Sequence, residues 1–379
     1  MNSVYFDNAA TTKVRDEVVD VMLRLMRESY GNPSSAHHIG RQAADELQTA
    51  RKYVADALGA RRDEVVFTSG GTEADNWAIL GAAESLSRKG RHIITSAIEH
   101  DAVMESVKKL GNMGWEVTYL APDSAGRISE ESFAAALRED TVIASIMLVN
   151  NETGAVNPLS GYSREIKRRR LGTVLHTDAV QGFLKIPFSV NGLGAELVSI
   201  SAHKIHGPKG VGALYVKEGV RLSPLTFGGH QENGKRPGTE ALPAVAGFGE
   251  AARLGRLEFE ETATAVRKLR DFTSTQILEQ IPEAVTIGNG DSPFLLSLSL
   301  PGHKSEVLMN YLDGEGICVS KSAACKKGAR SRVLEAMRLK NEVIDGALRI
   351  SFSRYSTQDE CEHFVAVLKQ ASETLFKAL

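Results

Sequence analysis

Disulfide chemistry is the first thing the composition removes. Only Cys318, Cys325 and Cys361 occur in 379 residues, and no two of them form a Cys-x-x-Cys pair. They supply no disulfide framework and point to reduced thiols in a cytoplasmic protein. Long apolar runs are missing too, and none reaches the roughly 20 residues of a membrane-spanning helix. The opening Met1-Asn2-Ser3-Val4-Tyr5-Phe6-Asp7 has neither a basic n-region nor an apolar h-region, so a secretory signal is not expected. Charge is nearly balanced, at a formal net of -2, which favours neither nucleic acid nor an anionic membrane as a partner. A basic run at 167–170 ends an expected helix and reads as a solvated face. No repeat or low-complexity segment is evident, and no residue set reads as a metal site.

With 42% apolar and 24% charged residues, a soluble globular protein is expected. The length exceeds one small core and suggests two domains. An extended arm (1–13) precedes helices at 16–28 and 40–58, separated by Gly31-Asn32-Pro33-Ser34-Ser35-Ala36-His37. From there strands at 65–68, 92–95, 117–120, 141–149, 173–176, 196–200 and 211–216 mostly alternate with helical patterns. That order predicts an α/β fold, a mostly parallel sheet with helices on both faces. Loops at the carboxyl ends of such strands form the ligand crevice. A charged helix (251–280) is expected to lead into a smaller α+β unit, with strands near 295–300, 317–320 and 348–352 and a last helix from about 357. The expected division is a large cofactor-binding domain, 14–256, and a small domain of 1–13 with 257–379.

The polar residues that can carry chemistry fall at those strand ends. Ser201-Ala202-His203-Lys204-Ile205-His206-Gly207-Pro208 joins two apolar runs. A lysine held there shifts pKa readily and suits Schiff-base chemistry, although a surface loop with a solvated lysine has the same pattern. Gly70-Gly71-Thr72 between a strand and a helix outlines a phosphate cradle; it also reads as a plain connection. It is neither a Walker A loop nor a dinucleotide fingerprint. Asp178 closes a strand and is either a partner for a protonated ring nitrogen or a helix cap. His100 reads as a stacking and proton-moving group or as a cap. Asn151 suits a ring oxygen, a carboxylate or a turn. Cys318, in an apolar run, reads as a core thiol.

Together these stretches resemble the cysteine desulfurases, within the class V aminotransferase branch of fold-type I pyridoxal-phosphate enzymes. The resemblance runs nearly end to end. It is carried by Asp7-Asn8-Ala9-Ala10-Thr11-Thr12, Gly31-Asn32-Pro33-Ser34-Ser35, Phe67-Thr68-Ser69-Gly70-Gly71-Thr72-Glu73-Ala74-Asp75-Asn76, Glu99-His100, Val149-Asn150-Asn151-Glu152, His176-Thr177-Asp178-Ala179-Val180-Gln181 and the lysine loop. It implies that Lys204 carries pyridoxal 5'-phosphate, Asp178 meets the ring nitrogen and Gln181 the ring hydroxyl. It further implies that His100 stacks on the ring, and that Gly71, Thr72, Ser201 and His203 bind the phosphate. Asn151 and Arg349 would hold the carboxylate of L-cysteine, and Thr239 would reach the phosphate of a partner subunit in a homodimer. Cys325 would take the sulfur as a persulfide, leave L-alanine, and pass sulfur to a protein acceptor of iron–sulfur cluster assembly or thiolation. A selenocysteine lyase, a small-substrate aminotransferase and a catalytically idle binding platform are the alternatives on the same fold. The chain departs from the family at Ser320-Lys321-Ser322-Ala323-Ala324-Cys325, where Ser-Ser-Gly-Ser-Ala-Cys is commoner, and at Arg236-Pro237-Gly238-Thr239, where Arg-Ser-Gly-Thr is. Lys321, Lys326 and Lys327 are expected to make the cysteine loop electropositive and favour thiolate.

Overall fold

The computed structural model describes residues 3–321 and 330–377. Cys325, Lys326 and Lys327 lie outside the described residues. In chain order the strands are β1 Val4–Tyr5, β2 Val65–Thr68, β3 His92–Ser96, β4 Glu116–Leu120, β5 Thr141–Ser145, β6 Val174–Asp178, β7 Leu197–Ser201, β8 Gly212–Val216, β9 Val285–Thr286, β10 Leu295–Ser299, β11 Ile317–Cys318, β12 Ser320–Lys321 and β13 Ala347–Ser351.

The large sheet has seven strands in the order β2-β8-β7-β6-β5-β3-β4. All pairings are parallel except those of β8, which opposes both β2 and β7. β8 turns back because only the short lysine loop separates it from β7, too little chain for a crossover helix. Side chains alternate between two cores, one on each face. Val65 and Phe67 of β2 enter one core and Val66 the other; Val198 and Leu197 of β7 divide the same way. Burial on both faces explains why these strands read as unbroken apolar runs.

A second sheet, β12-β13-β10-β9, is antiparallel, and β1 pairs with β11 in a parallel ladder beside it. Its core contains Phe6, Leu296, Leu348, Phe352 and Phe364. Phe6 packs against Phe352 and Phe364 with ring centroids 5.2 and 5.7 Å away. Val333, Leu334, Met337, Ile344 and Ala347 instead join the large-sheet core. The arm after β1 is thereby drawn across the top of the large sheet. Among the described residues no helix is long and apolar enough to cross a membrane.

Four local expectations need correction. The helix expected over 251–280 is two helices, Leu242–Leu257 and Phe259–Gln280, broken at Glu258. No Gly or Pro marks the break; the Glu258 carboxylate accepts from Arg15 Nη1 at 2.7 Å and pairs with Arg354. The apolar run 141–149 is a strand only to Ser145. Beyond it, the Met147 amide donates to the Glu99 carboxylate at 2.9 Å instead of to a neighbouring strand. The run 317–320 divides between two ladders, because Ile317 and Cys318 pair with β1 while Ser320 and Lys321 pair with β13. Cys318 is half-buried rather than a core thiol.

Gly212 marks where β8 crosses closest to the β2 exit. A Cβ there would lie 2.6 Å from the Ile200 carbonyl oxygen and 2.8 Å from Gly70 Cα, all backbone that cannot step aside. Gly212→Ala should therefore lower stability by about 1–3 kcal/mol, read as a fall in the urea midpoint. An unchanged midpoint would mean the two strands can separate without cost.

Candidate active site

Lys204 closes a single 3-10 turn, Ala202–Lys204, directly after β7. The arm laces this turn in place. Thr12 donates to His203 O through both N and Oγ1, at 3.0 and 2.9 Å. Thr12 Oγ1 in turn accepts the His206 amide at 2.8 Å. Lys204 Nζ donates to the carbonyls of Ala9 and Ala10 at 2.6 and 2.7 Å. Both acceptors are neutral, so burial and then the nearby Arg349 charge push this amine down to about 8. A usable fraction is the free-base nucleophile near neutral pH.

The amine opens into a cavity of about 590 Å³ lined by residues from five strand ends and the arm. Gly71, Thr72, His100, Asn151, Asp178, Gln181, Ser201, His203, Lys204 and Arg349 all line it. On one side β2 runs into Gly70-Gly71, with Ser201 and His203 opposite. A Cβ on Gly71 would come within 2.8 Å of Val180 Cγ2, so only glycine lets the backbone sit this close. Burial, reinforced by the positive charges of Lys204 and Lys185, holds His203 at about 4, hence neutral.

The other side is acidic. Asp178 ends β6, is 6% exposed, and accepts the Val180 amide at 2.8 Å. Burial raises its pKa, opposed by His100 and Lys204. Asp75, 1% exposed, is raised well above the carboxylate range by burial and by Asp178. One ligand atom each of Asp75, His100 and Asp178 lies within 4.8 Å of the others. His100 caps the helix Asp101–Asn112 by accepting the Ala102 amide on Nδ1, which leaves Nε2 for a ligand. The cap and the pocket residue are the same histidine.

Arg349 crosses from β13 to the cavity floor and is 2% exposed. It donates to Asn151 O at 3.0 Å and to Asp7 Oδ1 at 2.9 Å, and its Nε has no partner among the described residues. Glu99, Glu152, Ser331 and Arg332 also line the cavity, although the sequence reading gave none of them a role. Burial pushes Glu99 to about 8 and Glu152 to about 7. Glu152 accepts from Ser331 Oγ at 2.5 Å, and Arg332 donates to the Ala97 and Glu99 carbonyls. Adjacency to His100 and Asn151 is the one signal that marked these glutamates. Thr239 is exposed and does not line the cavity. Its loop is tied to the β2 exit: Arg236 donates twice to Glu73, at 2.9 and 3.2 Å, and Glu73 accepts the Ser69 amide at 2.7 Å. Lys321 pairs with Glu306 at 2.7 Å, so part of the charge expected beside Cys325 is already countered.

The family model for class-V aminotransferases matches residues 4–364. The cysteine desulfurase IscS of Dictyoglomus turgidum is 41% identical over 376 residues, 98% of this chain and 95% of that protein. The IscS of Methanosarcina thermophila is also 41% identical, over 98% of this chain and 93% of its own. The chain belongs to the class-V aminotransferases, on their cysteine desulfurase branch. A solved NifS-like protein, 39% identical, superposes with a TM-score of 0.93 over 98% of this chain and all of its own.

Class-V aminotransferases on this branch depend on pyridoxal phosphate, and the cavity suits that molecule. Its aldehyde needs an amine that is part free base, which Lys204 supplies. Its ring nitrogen, once protonated, supplies the counter-charge that buried Asp178 lacks. Its phosphate needs close backbone and neutral or cationic donors, available around Gly71, Ser201 and His203.

The depressed amine pKa is testable without cofactor. Reductive methylation of the apoprotein, read by peptide mass, should give Lys204 a midpoint of about 8. Arg349→Ala should move that midpoint up by removing a positive neighbour, and Arg349→Lys should not. A midpoint indifferent to Arg349 would refute the electrostatic account.

Proposed function

We propose that this cysteine desulfurase converts L-cysteine to L-alanine with Lys204 as the cofactor lysine and Cys325 as the sulfur acceptor. The observation that carries the reading is the Lys204 amine, held by two neutral carbonyls opposite a buried carboxylate without a counter-ion. When bound, pyridoxal phosphate supplies an electron sink that labilises bonds to the substrate α-carbon. The protein's own residues do the rest. Asp178 keeps the ring nitrogen protonated. Gly71, Thr72, Ser201 and His203 hold the phosphate, and Gln181 meets the ring hydroxyl. His100 would stack on the ring and would move protons at Nε2, since its Nδ1 is held by the Ala102 amide. Arg349 and Asn151 hold the substrate carboxylate; the unpartnered Arg349 Nε and the planar fork suit it. The Lys204 amine, facing the cavity, would carry the α-proton of the substrate. The Cys325 thiolate would then attack the substrate sulfur, so that a sulfur–sulfur bond forms as the carbon–sulfur bond breaks; the bonding pair goes to the β-carbon, which takes up a proton to become the methyl group of L-alanine. The persulfide on Cys325 passes to a protein acceptor, for which iron–sulfur assembly is the reading supported by the names of the relatives.

The same proposal takes 14–256 as the cofactor domain and 1–13 with 257–379 as the small domain, supported by their separate sheets, although Val333, Leu334, Met337, Ile344 and Ala347 pack into the large-sheet core. It also takes the protein as a cytoplasmic homodimer in which Thr239 reaches the partner's phosphate. Supporting this, Thr239 is exposed on a loop fastened at Arg236.

Cys325→Ala should bind pyridoxal phosphate with wild-type affinity yet release almost no alanine or sulfide from L-cysteine. Mass spectrometry of the wild type after L-cysteine should show an added sulfur atom on the Cys325 peptide. Sulfur on Cys318 or Cys361, or full activity of the variant, would sink the assignment. For the dimer, a Thr239→Ala chain mixed with a Lys204→Ala chain should regain cofactor affinity at the intact lysine. No improvement in the mixed species would remove the cross-subunit contact.

A further inference from the structure

Lys185 is a buried amine that the mechanism above leaves unused, and burial brings its pKa down to about 7. It is 7% exposed, and among the described residues no carboxylate pairs with it. The voids touching it measure about 10 and 40 Å³, room for a water molecule or so rather than a hydration shell. Lys204 and Arg349 are both close enough to depress its pKa further than burial does alone. Its hydrogen bond goes to Gln181 Oε1 at 2.9 Å. Such a site is costly for a cation, and a structural filler would be apolar.

The bond has a directional consequence. The two ends of a glutamine amide have nearly the same shape but opposite hydrogen-bonding roles, and Lys185 can only donate while it is protonated, below about pH 7. Lys185 then holds Oε1 on its own side and reinforces the orientation that the Ala9 carbonyl, which can only accept, requires of Nε2. Nε2 donates to Ala9 O at 2.8 Å, the same carbonyl that accepts from Lys204 Nζ. Gln181 lines the cavity, and an amide nitrogen carries a second N–H that can be given to a ligand.

We propose that Lys185 is a positioning residue that locks the Gln181 amide with its N–H groups toward the cofactor, so that the ring oxygen facing it must accept and is favoured as an anion. This rests on the reading that Gln181 meets the ring hydroxyl, and it adds which way the amide points and what holds it there.

The test is a double-mutant cycle on the dissociation constant of pyridoxal phosphate, measured by fluorescence titration of the full chain. Lys185→Met keeps the chain length and removes the donor; it should weaken cofactor binding about fivefold. Lys185→Gln restores a donor and should recover most of the loss. In a Gln181→Ala background, Lys185→Met should have no further effect. Equal losses in both backgrounds would show a merely structural role and overturn the inference. Wild-type affinity in Lys185→Met beside a weakened Gln181→Ala would overturn it too, while leaving the Gln181 contact standing. Wild-type affinity in Gln181→Ala would remove the contact and the inference together. Gln181→Glu keeps an acceptor for Lys185 but has no N–H to give, and should lose affinity like Gln181→Ala. Retained affinity in that variant would overturn the inference even where Lys185→Met fails to fold.

Discussion

Two backbone carbonyls, those of Ala9 and Ala10, hold the amine of Lys204, and the active site depends on that grip. A carboxylate in their place would stabilise the ammonium and raise its pKa. Neutral acceptors fix the position of the amine without paying for its charge. The same segment fixes the turn that carries the lysine, through Thr12, and the floor of the cavity, through Asp7 and Arg349. The arm has almost no regular structure of its own. It is ordered from both ends, by Phe6 in the small core and by the hydrogen bonds of Thr12 to the lysine turn.

Around that grip the cavity is electrostatically incomplete in a patterned way. Buried carboxyls at Asp75, Asp178, Glu99 and Glu152 are all raised by desolvation, while buried amines at Lys204 and Lys185 are lowered by it. The acids and the amines are not paired with one another. A zwitterionic aromatic ligand with a protonated ring nitrogen and anionic oxygens is complementary to such an arrangement. The protein carries the desolvation cost in the folded state so that the ligand meets charges already in position. This is why perturbed groups gather at one cavity.

Much of this was legible in the residues. Alternating apolar runs and turn signals fixed the parallel sheet, and a sheet of that kind puts its ligand crevice at the strand ends, where Gly71, His100, Asn151, Asp178 and Lys204 stand. What could not be read is what long-range contact decides. A helix that local propensity would continue breaks at Glu258, whose carboxylate meets arginines distant in sequence. Glu99 ends a strand by taking the Met147 amide. Lys185 carries no signal along the chain until the fold closes over it. Lys321 looks like part of a basic loop until Glu306 is found beside it. Motif residues announce themselves by company along the chain; their supports are chosen by company in space.

The pairing of Asn8 with Ser351 spans 343 residues, and it sets an order of events during synthesis. The amino end leaves the ribosome first, and Asn8 lacks this partner until the last strand of the small sheet has been made. At roughly 5–20 residues per second, that wait is on the order of tens of seconds. The large sheet can form meanwhile, with Lys204 already at the end of β7, but the carbonyls that grip its amine are not yet anchored. A nascent chain is therefore a folded scaffold before it is a cofactor site. Loading with cofactor becomes a late step, and a chain cut short before Ser351 would keep its lysine and lose one anchor of the carbonyls that hold it.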